Sequence, residues 1–173
     1  MQQPGPLIAA FDLATLTGYA IGRVGERPRF GTWRLKTPDD EPERASRNLG
    51  CRLRDMFMFE KPDIVAYEAA ISAGGMLRMG NASRTADMLL QLPGALQAIC
   101  GCYGVRAVKK NVQNVRKNFV GKGRPDDPKR AVLDQCRVLG FDVKDDNAAD
   151  ALAIWHVQAG FVFGELALAR VAG

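Results

Sequence analysis

Leu7-Ile8-Ala9-Ala10-Phe11-Asp12-Leu13-Ala14-Thr15-Leu16-Thr17-Gly18-Tyr19-Ala20-Ile21-Gly22 is the stretch whose reading decides the fold. Leu7 to Phe11 is an apolar run of strand length, and it delivers a carboxylate, Asp12, at its end. Thr15-Leu16-Thr17-Gly18 turns the chain, and Tyr19 to Gly22 returns as the partner strand of a hairpin. An acid so close to the centre of a sheet is costly unless a cation or a hydrogen-bond donor meets it. It is equally the kind of residue that satisfies itself in a turn. This stretch alone leaves both readings open.

Outward from the hairpin, Pro28 to Leu35 alternates as a third strand, with Gly25 in the turn before it, so the chain opens as an antiparallel meander. After the loop Lys36–Asp40, Leu49, Leu53, Met56 and Phe57 recur at helical spacing between Glu41 and Phe59, and Lys61-Pro62-Asp63 stops that helix. Ile64 to Tyr67 is a fourth strand, ending like the first on an acid, Glu68. Ala69 to Asn81, with Gly74, Gly75 and Gly80, reads as a flexible loop. A helix from Ser83 to Ile99 contains Pro93-Gly94, which predicts a kink, and Tyr103-Gly104 ends it.

Val105 to Val108 is the fifth strand. Asn111 caps a short helix through Lys117, and the loop Val120–Pro125 leads to Asp127-Pro128, a cap and first-turn proline that open the next helix. That helix carries Ala131, Val132, Cys136 and Leu139 and ends at Gly140. Asp145-Asp146-Asn147 precedes a last apolar helix, Ala148 to about Phe161, and Gly164 to Gly173 reads as a short tail or a terminal helical turn. The order predicts an α/β fold, a five-stranded mixed sheet of three antiparallel and two parallel strands flanked by helices. With 173 residues and no linker or repeat, residues 1–173 read as a single domain.

Composition narrows the function classes. Hydrophobic content of 47% with 25% charged residues excludes a disordered chain. The net charge is +5 and the isoelectric point about 9.2, which suits an anionic partner. The basicity is local: nine Lys and Arg between Arg106 and Arg130 face only Asp126 and Asp127, a stretch of +7 that leaves −2 for the rest. Cys51, Cys100, Cys102 and Cys136 lack zinc-site spacing and His156 is the only histidine, so the cysteines read as reduced thiols. No basic leader and no membrane-length apolar run is present, and the expected location is cytoplasmic, with no membrane partner.

If the first and fourth strands are parallel neighbours, Asp12 and Glu68 leave the sheet at the same end, where α/β folds place their sites. The last helix adds a third contribution. Asp146 with Asp150 (i, i+4), or Asn147 with Asp150 (i, i+3), shares a helix face. One of Asp145 and Asp146 caps the helix. Capping does not account for Asp150, which stands among Ala148, Ala149, Ala151 and Leu152 and demands a partner. Clustered carboxylates repel unless divalent cations neutralise them. Oxygen-only ligation suits Mg²⁺ or Mn²⁺, and two such ions would make a phosphodiester hydrolase.

The set Phe11-Asp12…Thr17-Gly18-Tyr19, Tyr67-Glu68, Gly121-Lys122-Gly123 and Asp146-Asn147-Ala148-Ala149-Asp150-Ala151-Leu152 resembles the RuvC-like Holliday junction resolvases, in their phage-type branch, within the RNase H-like superfamily. The similarity spans roughly residues 7–160, and it lies in four weak motifs in order rather than in one strong one. The resemblance implies an RNase H-like fold, paired nicking of four-way DNA junctions by a homodimer, and metal-binding acids at Asp12, Glu68, the start of the last helix, and Asp150. RuvC has an Asp where this chain has Asn147, and the phage branch often shows Asp-Asp-Asn here, so Asp146 is favoured as the third acid and Asn147 kept as a neutral ligand.

On the same resemblance, Asp12 bridges both ions while Glu68 and Asp150 hold one each. Lys117, Lys122, Arg124 and Lys129 contact DNA phosphates or offset charge in the transition state. Lys129 matches the family's lysine only when two extra residues are allowed. RuvC's aromatic wedge after the second acid has no counterpart in Ala69–Asn81, where Met76 or Leu77 would have to substitute. The kinked helix around Leu89–Leu96 is the expected dimer interface. His156 reads as a packed or surface residue, and Met56, Met58 and Met88 as ordinary core or amphipathic positions.

Competing functions are another RNase H-like nuclease acting on branched DNA or RNA–DNA hybrid, and a catalytically impaired junction-binding protein. Asp12 with Thr15 and Thr17 also resembles the phosphate loop of actin-like ATPases and sugar kinases, but their second phosphate loop and second lobe have no room in 173 residues.

Overall fold

The computed structural model describes residues 4–68 and 83–172, with side chains except at Pro42, 83–89 and 166–172. Five strands, β1 (Leu7–Asp12), β2 (Leu16–Arg23), β3 (Arg29–Arg34), β4 (Ile64–Glu68) and β5 (Arg106–Lys110), form one sheet in the order β3-β2-β1-β4-β5. β1 pairs antiparallel with β2, and β2 with β3; β1 with β4, and β4 with β5, are parallel. The mixed sheet read from the sequence is the one observed.

Helices cover both faces, and the two-residue period of the strands sorts their side chains between them. Leu7, Ala9, Phe11, Ile21, Val65 and Tyr67 join one core with α1 (Pro42–Phe59) and α2 (Ser83–Cys102). Ile8, Ala10, Ala20, Ile64 and Ala66 join the other, with α3 (Val112–Val120), α4 (Pro128–Val138) and α5 (Asp146–Ala172). By the same alternation Asp12, following Ile8 and Ala10, and Glu68, following Ile64 and Ala66, lie on the α5 face.

Each helix seats itself through residues four apart: Ala45, Leu49, Leu53 and Phe57 on α1; Leu92, Leu96 and Cys100 on α2; Val115 and Phe119 on α3; Val132 and Cys136 on α4. The expected caps are present. Asn111 accepts from the Gln113 and Asn114 amides, and Asp127 from Arg130 N, with Pro128 in the first turn. Asp63 ties the starts of β1 and β4: its carboxylate accepts from Leu7 N at 2.7 Å and its amide donates to Leu7 O at 2.9 Å.

Several boundaries move. α3 runs three residues past Lys117, to Val120, where Gly121 at φ 86° stops it. α2 continues as one helix across Pro93 to Cys102. The largest revision is α5: it starts at Asp146 and extends without a break to Ala172, so the expected short tail is part of the same helix. Neither Gly160 nor Gly164 is enough to end a helix rich in Ala and Leu, since an isolated glycine costs only about 1 kcal/mol relative to Ala. Most of its central stretch is buried, lying on the sheet beneath α3 and α4, and Trp155 Nε1 donates to the carbonyls of Ile8 and Gly22.

The segment expected to form a dimer interface is partly committed elsewhere. Leu92 and Leu96 are fully buried against α1, so that face of α2 is core, while Leu90 is 55% exposed. Met58 is likewise not core but 73% exposed. The loop Ala69–Asn81, with Met76 and Leu77, lies outside the described residues. All four cysteines are free thiols, and among the described residues no helix is long and apolar enough to cross a membrane.

Candidate active site

The acids meet because the backbone brings one row of residues under the first turn of α5. Asp12 pairs with Gly18 on β2, and Gly18 pairs with Thr32 on β3. On the other side, Phe11 pairs with Tyr67, so Asp12 and Glu68 end neighbouring parallel strands together. The start of α5 crosses this row at very short range: a Cβ on Gly18 would stand 1.9 Å from the Asn147 carbonyl oxygen. Only glycine allows that approach. Thr17, fully buried beside it, donates to Ala14 O at 2.6 Å and locks the turn behind Asp12.

Helix capping and acid chemistry are divided between adjacent residues. Asp145 is the cap: its Oδ1 accepts from Ala148 N at 2.9 Å and from Thr32 Oγ1 at 2.6 Å. Asp146 is thereby released from capping, and its carboxylate accepts instead from Lys129 Nζ. Asp150, one turn on, faces Glu68 and Asp12 across the helix–sheet gap.

The electrostatics register this convergence. Burial pushes Asp12 up to about 8, helped in turn by the charges of Glu68, Asp150 and Asp146 and opposed by Lys129. Glu68 is raised to about 7 by burial and then by Asp150, against Arg116. Asp150 rises to about 6 through burial, with Arg116 pulling it down and Asp146 pushing it up. Asp146 goes the other way, held below the usual carboxylate range by the hydrogen bond from Lys129. Three half-buried acids that resist ionisation beside one another are a group of oxygen donors short of positive charge.

Such a set fits a hard divalent cation, which takes oxygen ligands and restores the charged form of each acid. The acids do not close into a ready-made cage: among the described residues no three His, Cys, Asp or Glu side chains group tightly enough to hold an ion by themselves. Asn147 presents its backbone carbonyl to Gly18; the acid at the start of α5 that Asp12 and Asp150 sense is Asp146.

The structure divides the basic residues singled out in the sequence. Lys129 reaches the cluster through Asp146, as an ion pair whose side chains are 72% and 32% exposed. Lys117 lies on the outer face of α3, and Lys122 and Arg124 on the α3–α4 loop; all three are exposed and, among the described residues, none pairs with an acid. The cation that sequence reasoning missed is Arg116. Half-buried on α3, it is the basic group that Glu68 and Asp150 feel most strongly, and its Nε is buried with no hydrogen-bond partner among the described residues. A signal existed: Arg116 follows Val115, which with Phe119 makes the inward face of α3, whereas Lys117 is a further 100° round the helix. His156 is exposed and edge-on to Phe119 at 5.4 Å, away from the acids.

A sheet of this order with helices on both faces is an RNase H-like α/β fold, and its parallel pair carries the acids at the carboxyl ends of the strands. Among solved structures, the chain is similar to Thermus thermophilus RuvC at 17% identity and a TM-score of 0.67, covering 93% of this chain and 96% of that one. It is similar to the same protein in complex with a Holliday junction substrate at 16% identity and 0.68, over 93% and 96%. A third match is the yeast mitochondrial Holliday junction resolvase Ydc2, at 11% identity and 0.60, over 94% and 80%. No sequence model of a known family and no curated protein matches the chain. The chain therefore has the fold of the RuvC-like Holliday junction resolvases, as its motifs suggested.

Proposed function

We propose that this chain is a metal-dependent, structure-selective DNA endonuclease that resolves four-way junctions by paired phosphodiester hydrolysis, working as a homodimer. The observation that carries the reading is the row of desolvated acids, Asp12, Glu68 and Asp150, raised to about 8, 7 and 6, at the end of the sheet in a RuvC-like fold. Those three, with Asp146 as the fourth, would hold Mg²⁺ or Mn²⁺ in preference to Asn147, and two such ions suit the number of carboxylates. A metal bound there would supply Lewis-acid chemistry at the scissile phosphate.

The chain's own residues account for the rest. Lys129 stands beside the cluster on an exposed ion pair of small energetic worth, so its ammonium is free to turn to a phosphate oxygen. Arg116 limits the repulsion between Glu68 and Asp150. Lys117, Lys122 and Arg124 are exposed and would contact backbone phosphates, which fix orientation rather than sequence. A paired cut requires two copies of the site, and the neighbour solved with a Holliday junction supports branched DNA as the substrate.

The test is cleavage of labelled four-way junction, flap, linear duplex and RNA–DNA hybrid in Mg²⁺ or Mn²⁺, beside Asp12→Asn. Paired symmetric nicks confined to the junction, at least about 10³-fold slower in the variant with binding retained, are the expected result. Cutting of every branched substrate would replace the resolvase reading by a broader nuclease. Junction binding without any cutting would leave a binding protein.

A further inference from the structure

The acids of the site are supplied by two strands and one helix, and the start of that helix is also bonded to a strand that carries no acid. β3 is the edge strand, two removed from β1. Yet Thr32 on β3 belongs to the same cross-strand row as Asp12, through Gly18. All three side-chain positions face α5, since Phe30, two before Thr32, packs in the α5 core. Along this row the first turn of α5 is seated at two points and brings its acids over a third position, where Asp12 repels them. Thr32 Oγ1 donates to Asp145 Oδ1 at 2.6 Å, Gly18 receives the Asn147 carbonyl, and Asp12 meets Asp146 and Asp150.

We propose that Thr32 is a positioning residue of the nuclease site: its hydrogen bond to Asp145 sets the rotation and height of the first turn of α5, and so places Asp146 and Asp150 against Asp12. One oxygen, Asp145 Oδ1, serves both as the acceptor from Thr32 and as the cap on Ala148 N, so the strand bond and the helix start are a single connection. A helix end held only by its cap can rotate about its axis; a second bond to a sheet residue removes that freedom. Groups that orient ligands in this way typically change metal affinity by about 10–100-fold when lost. The inference rests on the nuclease reading for its consequence, but the connection itself is a property of the fold.

Thr32→Val keeps the shape and removes the donor; Thr32→Ser restores the donor on a smaller side chain. Asp145→Asn retains an accepting oxygen for both bonds while discarding the charge. On the whole chain, three measurements decide: Mn²⁺ binding by titration calorimetry, amide exchange across residues 146–150, and junction nicking over a range of Mn²⁺. In Thr32→Val we expect roughly tenfold weaker Mn²⁺ binding and faster exchange in that turn. Nicking should recover as Mn²⁺ is raised, and junction affinity without metal should not change. Thr32→Ser and Asp145→Asn should stay within about threefold of the parent in Mn²⁺ affinity.

A purely structural threonine would lower the melting temperature without moving metal affinity well below it, and that outcome overturns the proposal. So does a serine variant as impaired as the valine. Should the parent chain bind no Mn²⁺ and cut nothing, the nuclease reading fails; unchanged exchange in Thr32→Val would overturn the clamp independently.

Discussion

Phe11 and Asp12 are adjacent on one strand, as are Tyr67 and Glu68 on the next, yet within each pair the residues belong to different chemistries. Phe11 and Tyr67 point to the α1–α2 face, where Phe11 packs against Trp33 at 5.6 Å between ring centroids and the Tyr67 hydroxyl is hydrogen-bonded by Gln97. Asp12 and Glu68 point to the α5 face and remain short of positive charge. One face of the sheet is finished when the chain folds, and the other is left with an electrostatic debt at one end. The difference teaches that stability and reactivity are separated here by the parity of single residues, not by distance.

The comparison can be broken most severely at Gly18. Gly18→Ala places a methyl 1.9 Å from the Asn147 carbonyl, so α5 must move off the sheet. Nicking should fall by at least about 100-fold, as expected for a displacement near 1 Å in a catalytic group. The folded fraction, followed by circular dichroism, should fall less. Retained full activity would mean that α5 does not need this seat.

A cut of the opposite kind is Leu53→Ala on α1. Leu53 is fully buried, and its truncation should cost about 2–5 kcal/mol, or roughly 5–15 °C in melting temperature. Nicking per folded molecule should be unchanged. Loss of activity at temperatures well below melting would couple the two faces and remove the distinction.

The charge debt has a pH signature. Folded Asp12, Glu68 and Asp150 keep protons up to about 8, 7 and 6, whereas the unfolded chain releases them near 4. The folded state therefore binds more protons between these values. The contribution of the cluster to stability is complete below about pH 4 and is lost as the pH rises through about 8. Without divalent metal, Asp12→Asn should melt level with the parent at pH 4 and roughly 5 °C higher at pH 9. Mg²⁺ should raise the parent and not the variant. Parallel melting profiles across that range would show that the acids are not coupled as described.

The smallest effect belongs to Lys129→Ala. Its pair with Asp146 is exposed, so melting should shift by less than about 3 °C, while nicking falls by about tenfold because a charge beside the phosphate is gone. A larger loss of stability would make Lys129 a structural member of the α4–α5 contact.

Much of the arrangement is already visible in the linear chain, because its signals are local. An apolar run ending on an acid needs only the strand period to be recognised, and this marks Asp12 and Glu68. Asp127-Pro128 and Asn111 announce helix starts through the chemistry of orphan amides. Asp150 stands out because an acid among alanines has no local use. Four spaced motifs then sufficed to resemble a family that no whole-sequence comparison detects.

What local signals lacked was the relation between elements. Whether Arg116 or Lys117 faces the acids depends on the face that α3 presents to α5, and Val115 and Phe119 choose it only once packed. Asp145 and Asp146 are equivalent as caps until Thr32, more than 100 residues earlier, binds one and Lys129 the other. Leu92 and Leu96 look like a free apolar face until α1 covers them. The sequence by itself determined which residues carry charge, which periods they follow and where strands end, since these are properties of neighbours along the chain. Only the tertiary structure decided which acids share a site and which cations they meet, because desolvation and Coulomb interaction depend on separation in space.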